Sequence, residues 1–126
     1  HPVSLAIDGN NGTGWAVELD THPNPGVDPA AGDMVAVHLE GASTPSAWAG
    51  LPELEDGAWH LVRVEVRGAA VEVTLDGAVV LTADVPGLRA FPATMGFTAA
   101  TGLFGNVQRV RGVNVADLRT CDGYAL

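Results

Sequence analysis

The sequence predicts an all-β protein, an antiparallel β-sandwich of two sheets around one core, and three observations lead there. Apolar and polar residues alternate with a period of two in a series of short runs. Gly, Pro, Asp and Asn punctuate the chain between them at regular spacing. No stretch sustains the period of an amphipathic helix.

The runs can be taken in order. Gly14 to Asp20 places Val17 and Leu19 on the core face and Glu18 and Asp20 together on the other, because successive side chains of a strand point to opposite sides. Met34 to Glu40 is the second run, with Val35-Ala36-Val37 at its centre. Pro45 to Pro52 reads as a connecting loop. In Trp59 to Arg67 the residues Arg63, Glu65 and Arg67 face water while Val62, Val64 and Val66 face inward, with Trp59 as a core anchor and His60 as a solvent-facing strand residue. Ala70 to Asp76 and Ala78 to Asp84 flank Asp76-Gly77, a tight hairpin signal, so three antiparallel strands follow one another. Thr94 to Thr101 and Val107 to Val115 complete the set. Trp15 and Trp48 are expected to be packing residues.

The most informative chemistry lies where the first run ends. Glu18 and Asp20 share a face, and like charges so placed repel unless a cation or donors sit between them. Pro23, Pro25 and Gly26 bend the following chain so that Asn24, Asp28 and a backbone carbonyl near His22 return toward Asp20. Hard cations such as calcium take oxygen ligands of this kind at about 2.3–2.6 Å. Asp, Asn, Pro and Gly also make ordinary loops that bind nothing, so the paired carboxylates carry the weight of the reading.

At Trp15-Ala16-Val17-Glu18-Leu19-Asp20-Thr21, the Pro/Asn turn and Asp28-Pro29, the chain resembles the L-type, legume-like lectins of the concanavalin-A-like superfamily. The resemblance implies a jelly-roll sandwich. It implies that Glu18 binds a transition metal and that Asp20 bridges two ions. It also implies that Asn24 and Asp28 complete a calcium shell and that His22 lends its carbonyl while its side chain faces a ligand. The family's second, manganese-like ion also takes a His just before the next strand. Met34 or Asp33 stands there instead, and of these only Asp33 could serve as a ligand.

Two further blocks are similar to the same superfamily. Asp56-Gly57-Ala58-Trp59-His60 matches its recurrent D-G-x-W-H hairpin, and Met95 to Phe104 matches a strand and loop that bind sugar. By that likeness Gly102, Leu103 and Phe104 join His22 and Asn24 in holding a glycan. Leu103 could equally cap the sandwich. A complete family domain is nearly twice as long and supplies a further Asp that this chain lacks. The resemblance therefore implies an incomplete domain with a complementary chain, a homo-oligomer, or a compact relative.

Composition sets the remaining expectations. A chain of 126 residues, 47% hydrophobic and 17% charged, suits a single domain over residues 1–126 with a polar tail from 115. Six Arg and no Lys against fifteen acids give a charge of −9, which argues against nucleic acid and anionic membranes as partners. No apolar run is long enough to span a bilayer. The abundance of Ala, Gly, Val and Arg suggests a GC-rich bacterial gene, and the resemblance a secreted or cell-surface location. Cys121 is the lone cysteine, so it has no internal disulfide partner and is either free or paired with a cysteine of a chain or segment outside this sequence. Asn11-Gly12-Thr13 is a glycosylation triplet of little weight in a bacterial protein.

An enzyme is not expected. Glucanases of this superfamily carry E-x-D-x-x-E, and here Pro23 stands where the third acid belongs. Two functions from different classes follow. One is a calcium-dependent carbohydrate-binding module; the other is a structural or adhesive module of an extracellular assembly in which calcium only stiffens a loop.

Overall fold

The computed structural model describes the backbone of residues 3–8 and, in full, residues 14–89, 94–101 and 105–116. Every regular element among them is a strand: β1 (Val3–Asp8), β2 (Trp15–Asp20), β3 (Met34–Leu39), β4 (Ala47–Gly50), β5 (Val62–Arg67), β6 (Ala70–Leu75), β7 (Ala78–Asp84) and β8 (Thr94–Ala99). They form a five-stranded sheet in the order β4-β3-β2-β1-β8 and a three-stranded sheet in the order β5-β6-β7, with every pairing antiparallel.

The two sheets meet over a shared core, which makes the molecule an all-β sandwich. Trp15, Val17, Val35 and Val37 come from the first sheet, Val71, Val73 and Leu81 from the second, and Val85 and Leu88 close one side. Period-two alternation produces this core directly. In β6, Val71, Val73 and Leu75 are buried while Glu72 and Thr74 are not. The Trp15 indole keeps a hydrogen bond in this apolar setting, donating to the Arg89 carbonyl at 3.1 Å.

Two turns are built on left-handed backbone. Asp76 and Gly77 both have positive φ, 50° and 85°, the geometry that lets a two-residue loop follow strand twist between β6 and β7. Glu40 and Gly41, at 53° and 72°, do the same after β3, and the Ala42 amide donates to the Leu39 carbonyl across that turn.

The structure corrects several expectations. Residues 47–50 form β4 within the segment expected to be a loop: Ala47 and Ala49 turn toward the core while β3 supplies a partner ladder. β1 was not anticipated at all. Conversely, the run from Val107 to Val115 forms no strand. Its valines fall at uneven intervals, Val107, Val110, Val113 and Val115 are exposed, and Gly112 adopts φ +65°. Trp59 is not a core anchor. It is 49% exposed, with the Arg111 guanidinium 3.9 Å from its ring centroid. His60 lies before β5, with its imidazole between Asp56 and Asp76. Trp48 is exposed, unlike Trp15.

Candidate functional site

Strand register assembles the site. Glu18 faces Ala36, Asp20 faces Met34 and Ala16 faces His38, so Glu18, Asp20 and His38 share the face of the five-stranded sheet that points away from the core. Above that face lies a cleft of about 330 Å³ lined by Ala16, Glu18, Asp20, Asn24, Asp28 and His38, with one wall from Gly41, Ala42 and Ser43 beyond the Glu40-Gly41 turn. No Lys or Arg is among the lining residues.

Asp20 sits deepest, with only 3% of its surface exposed. Its Oδ1 accepts the His22 amide at 2.8 Å, a local turn that swings the chain away from β2. Burial raises its pKa above the ordinary value; the His22 hydrogen bond opposes this, and the charges of Asp28 and Glu18 add to it. Asn24 and Asp28 are tied across the turn at Pro25 to Val27. The Asn24 amide nitrogen and its Nδ2 donate to Asp28 Oδ2 at 2.6 and 2.9 Å, while the Val27 and Asp28 amides donate to the Asn24 carbonyl. Asn24 Nδ2 also reaches the His22 carbonyl at 3.3 Å, so that carbonyl is turned toward the same turn. The His22 side chain is exposed.

His38 is the residue that sequence reasoning missed. Its Nδ1 lies 2.9 Å from the Ala42 carbonyl, and its Nε2 is buried, without a hydrogen-bond partner, 3.5 Å from Glu18 Oε1. The Glu18 carboxylate raises the His38 pKa. Burial works against the rise, and the Ala42 carbonyl and the Asp28 charge assist it. The charged form donates through Nδ1 to Ala42 and presents an Nε2 proton toward Glu18.

Of the expected metal ligands, Glu18, Asp20, Asn24 and Asp28 line one cleft. Asp33 does not line it: its Oδ2 accepts the Leu54 amide at 2.6 Å and its carbonyl accepts the Leu51 amide. Among the described residues no three His, Cys, Asp or Glu side chains stand together as a ready metal shell. The donors nonetheless suit a hard cation in kind, with carboxylates, an amide and a backbone carbonyl around a buried acid. Gly102, Leu103, Phe104 and Cys121 lie outside the described residues.

The segment between β4 and β5 braces the loop that follows β2. Leu54 is held by Asp33 at the loop's far end, and Glu55 Oε1 accepts Thr21 Oγ1 at 3.0 Å beside its start. The same oxygen accepts Asn106 Nδ2 at 2.7 Å, tying in the chain that follows residues 102–104. Further along, His60 Nδ1 lies 2.7 Å from Asp76 Oδ2 and its Nε2 3.0 Å from Asp56 Oδ1. These carboxylates, Asp76 foremost, raise His60, and each is itself held below the ordinary value.

Comparison with protein-family models, curated proteins and solved structures finds no match for this chain.

Proposed function

We propose that the chain is a calcium-dependent carbohydrate-binding module of a secreted or surface protein, of the L-type lectin kind. One observation carries the reading: a nearly fully buried carboxylate, Asp20, faces the charges of Glu18 and Asp28 in a cleft lined by no Lys or Arg. A divalent cation would relieve that repulsion. Asp20, Asn24, Asp28 and the His22 carbonyl would hold calcium. Glu18 and His38 would hold a second, manganese-like ion, which imidazole and carboxylate together suit. The ion supplies charge and fixes the Asn24 amide, whose remaining hydrogen-bonding capacity then serves sugar hydroxyls. The exposed His22 would complete the glycan site together with Gly102, Leu103 and Phe104, which only the resemblance assigns to it.

The test is calorimetric titration of EDTA-stripped protein with calcium, repeated for Asp20→Ala, followed by a glycan array with and without calcium. Stoichiometric binding lost in the variant, and calcium-dependent glycans on the array, are the expected results. No heat from either protein would sink the reading.

A second reading, an adhesive module whose cation only stiffens a loop, is favoured by β8. This edge strand carries no charge, has no ladder partner on its far side among the described residues, and leaves Phe97 43% exposed. Sedimentation velocity of wild type and Thr98→Lys checks it. Concentration-dependent association abolished by the added charge would support self-pairing through this edge.

A further inference from the structure

Trp48 offers a second contact surface on the same sheet face as the cleft. β3 pairs Ala36 with Glu18 on one side and with Trp48 on the other, so Glu18, Ala36 and Trp48 form one row across three strands. Two strand spacings put the Trp48 backbone about 10 Å from that of Glu18. Ala36, between them, is a small and fully buried floor.

The three tryptophans differ in what their rings can do. Trp15 is spent in the core, and Trp59 lies under the Arg111 guanidinium. Trp48 is 44% exposed on an edge strand, and among the described residues no cation covers its ring. Its neighbour on the same face is Gly50, where an added Cβ would meet nothing within 4 Å. No side chain at that neighbouring position crowds the half-exposed indole. An indole pairs a flat apolar face with one N–H donor, and a sugar ring pairs a C–H face with a rim of hydroxyls, so the two fit when stacked.

We infer that Trp48 is a stacking platform for a sugar ring, forming a subsite next to the cleft, and that the ligand is a neutral oligosaccharide. This rests on the carbohydrate-binding reading above. Chain length follows from geometry, because a single ring cannot lie on Trp48 and also reach the cleft two strands away. Neutrality follows from net charge: the chain carries −9 with no Lys, more than two bound divalent ions offset, so its surface repels uronates and other acidic sugars.

The experiment is calorimetry with neutral hexose mono-, di- and trisaccharides, and with a uronic-acid oligosaccharide, on wild type, Trp48→Ala and Trp48→Phe. Acrylamide quenching of tryptophan fluorescence runs alongside. Affinity should rise from mono- to oligosaccharide. Trp48→Ala should lose about tenfold for the longer sugars while leaving calcium binding and monosaccharide affinity unchanged, and Trp48→Phe should recover most of the loss. Bound oligosaccharide should shield the exposed indole from quencher in wild type only. Equal oligosaccharide affinity in wild type and Trp48→Ala would overturn the platform and leave the cation reading standing. Preference for the uronic-acid ligand would overturn neutrality. Trp48-dependent binding indifferent to EDTA would support the platform and overturn its link to calcium. No sugar bound by wild type would overturn both.

Discussion

Replacing Asp20 by Asn separates a carboxylate kept for the fold from one kept for a cation. The amide oxygen that takes the place of Oδ1 still accepts the His22 amide, so the local turn survives. What disappears is a nearly fully buried charge facing Asp28 and Glu18. Because the folded-state pKa of Asp20 is raised, ionising it costs stability. That cost is fully present above the raised value and vanishes as pH falls below the unfolded value of 3.8. In EDTA at pH 7, Asp20→Asn should therefore be more stable than wild type. With calcium at about 100 times its dissociation constant, wild type should gain about 2.7 kcal/mol and the variant almost nothing. Urea unfolding followed by fluorescence reads both differences. With m of about 1–3 kcal/mol/M, the calcium effect moves the wild-type midpoint by roughly 1–2 M. If Asp20→Asn were less stable in EDTA, or if calcium shifted both proteins equally, the carboxylate would be serving the fold and the cation reading would fail.

Three other perturbations test the scaffold around the cleft. Val35 is fully buried in the strand that carries His38, and Val35→Ala should cost about 2–3 kcal/mol in urea unfolding, from two lost methyl groups and the cavity they leave. The His60 clamp should be strongest between two limits. Its contribution is complete below the unfolded histidine value of 6.5 and lost as pH rises through the raised folded value, whereas that of Asp56 and Asp76 is complete above 3.8 and lost below it. The wild-type melting temperature should accordingly exceed that of His60→Gln within that window, and the gap should close toward pH 9; a constant gap would show that the charged clamp contributes nothing. Glu55→Ala should speed amide exchange around Thr21 and over residues 105–116 together, because one oxygen holds both, and Glu55→Gln, which keeps the acceptor, should not.

Most of the fold was legible because it follows from period two. Glu72 and Thr74 alternating with buried valines, and the Asp-Gly turn with its two left-handed residues, specify β6 and β7 by local rules alone. The failures have a common physical cause. β4 is four residues of Ala, Trp and Gly, with no β-branched residue, and it is a strand only because β3 offers it a partner. The Val107 to Val115 segment has the opposite defect. Its composition favours strands, but no ladder receives it among the described residues, and Gly112 breaks its extension. Trp59 was misplaced because aromatic size argues for burial, while the Arg that covers it lies 52 residues away in the chain.

The acidic cleft was legible on β2 and illegible on β3. Glu18 and Asp20 share a face by alternation, and Asn24 and Asp28 lie within one turn of chain, so local reasoning could group them. His38 is 20 residues beyond Glu18, past a loop of unknown path, and the resemblance directed attention to the start of the following strand, at Asp33 and Met34. Only the antiparallel register reveals the pairing. With Glu18 opposite Ala36, the next outward residue on β3 is His38, diagonal to Glu18 and within reach of it. The signal was present in the sequence as the outward alternation Met34, Ala36, His38, parallel to Ala16, Glu18, Asp20. Reading it required knowing that β2 and β3 are neighbours. The imidazole thus enters the cleft from the opposite end of β3 to the one expected, while Asp33 is given over to the Leu54 brace. If a second ion binds, His38→Ala should remove it and leave calcium in place, whereas Asp33→Ala should weaken the brace without touching either ion; the reverse outcome would restore the placement that the resemblance implied.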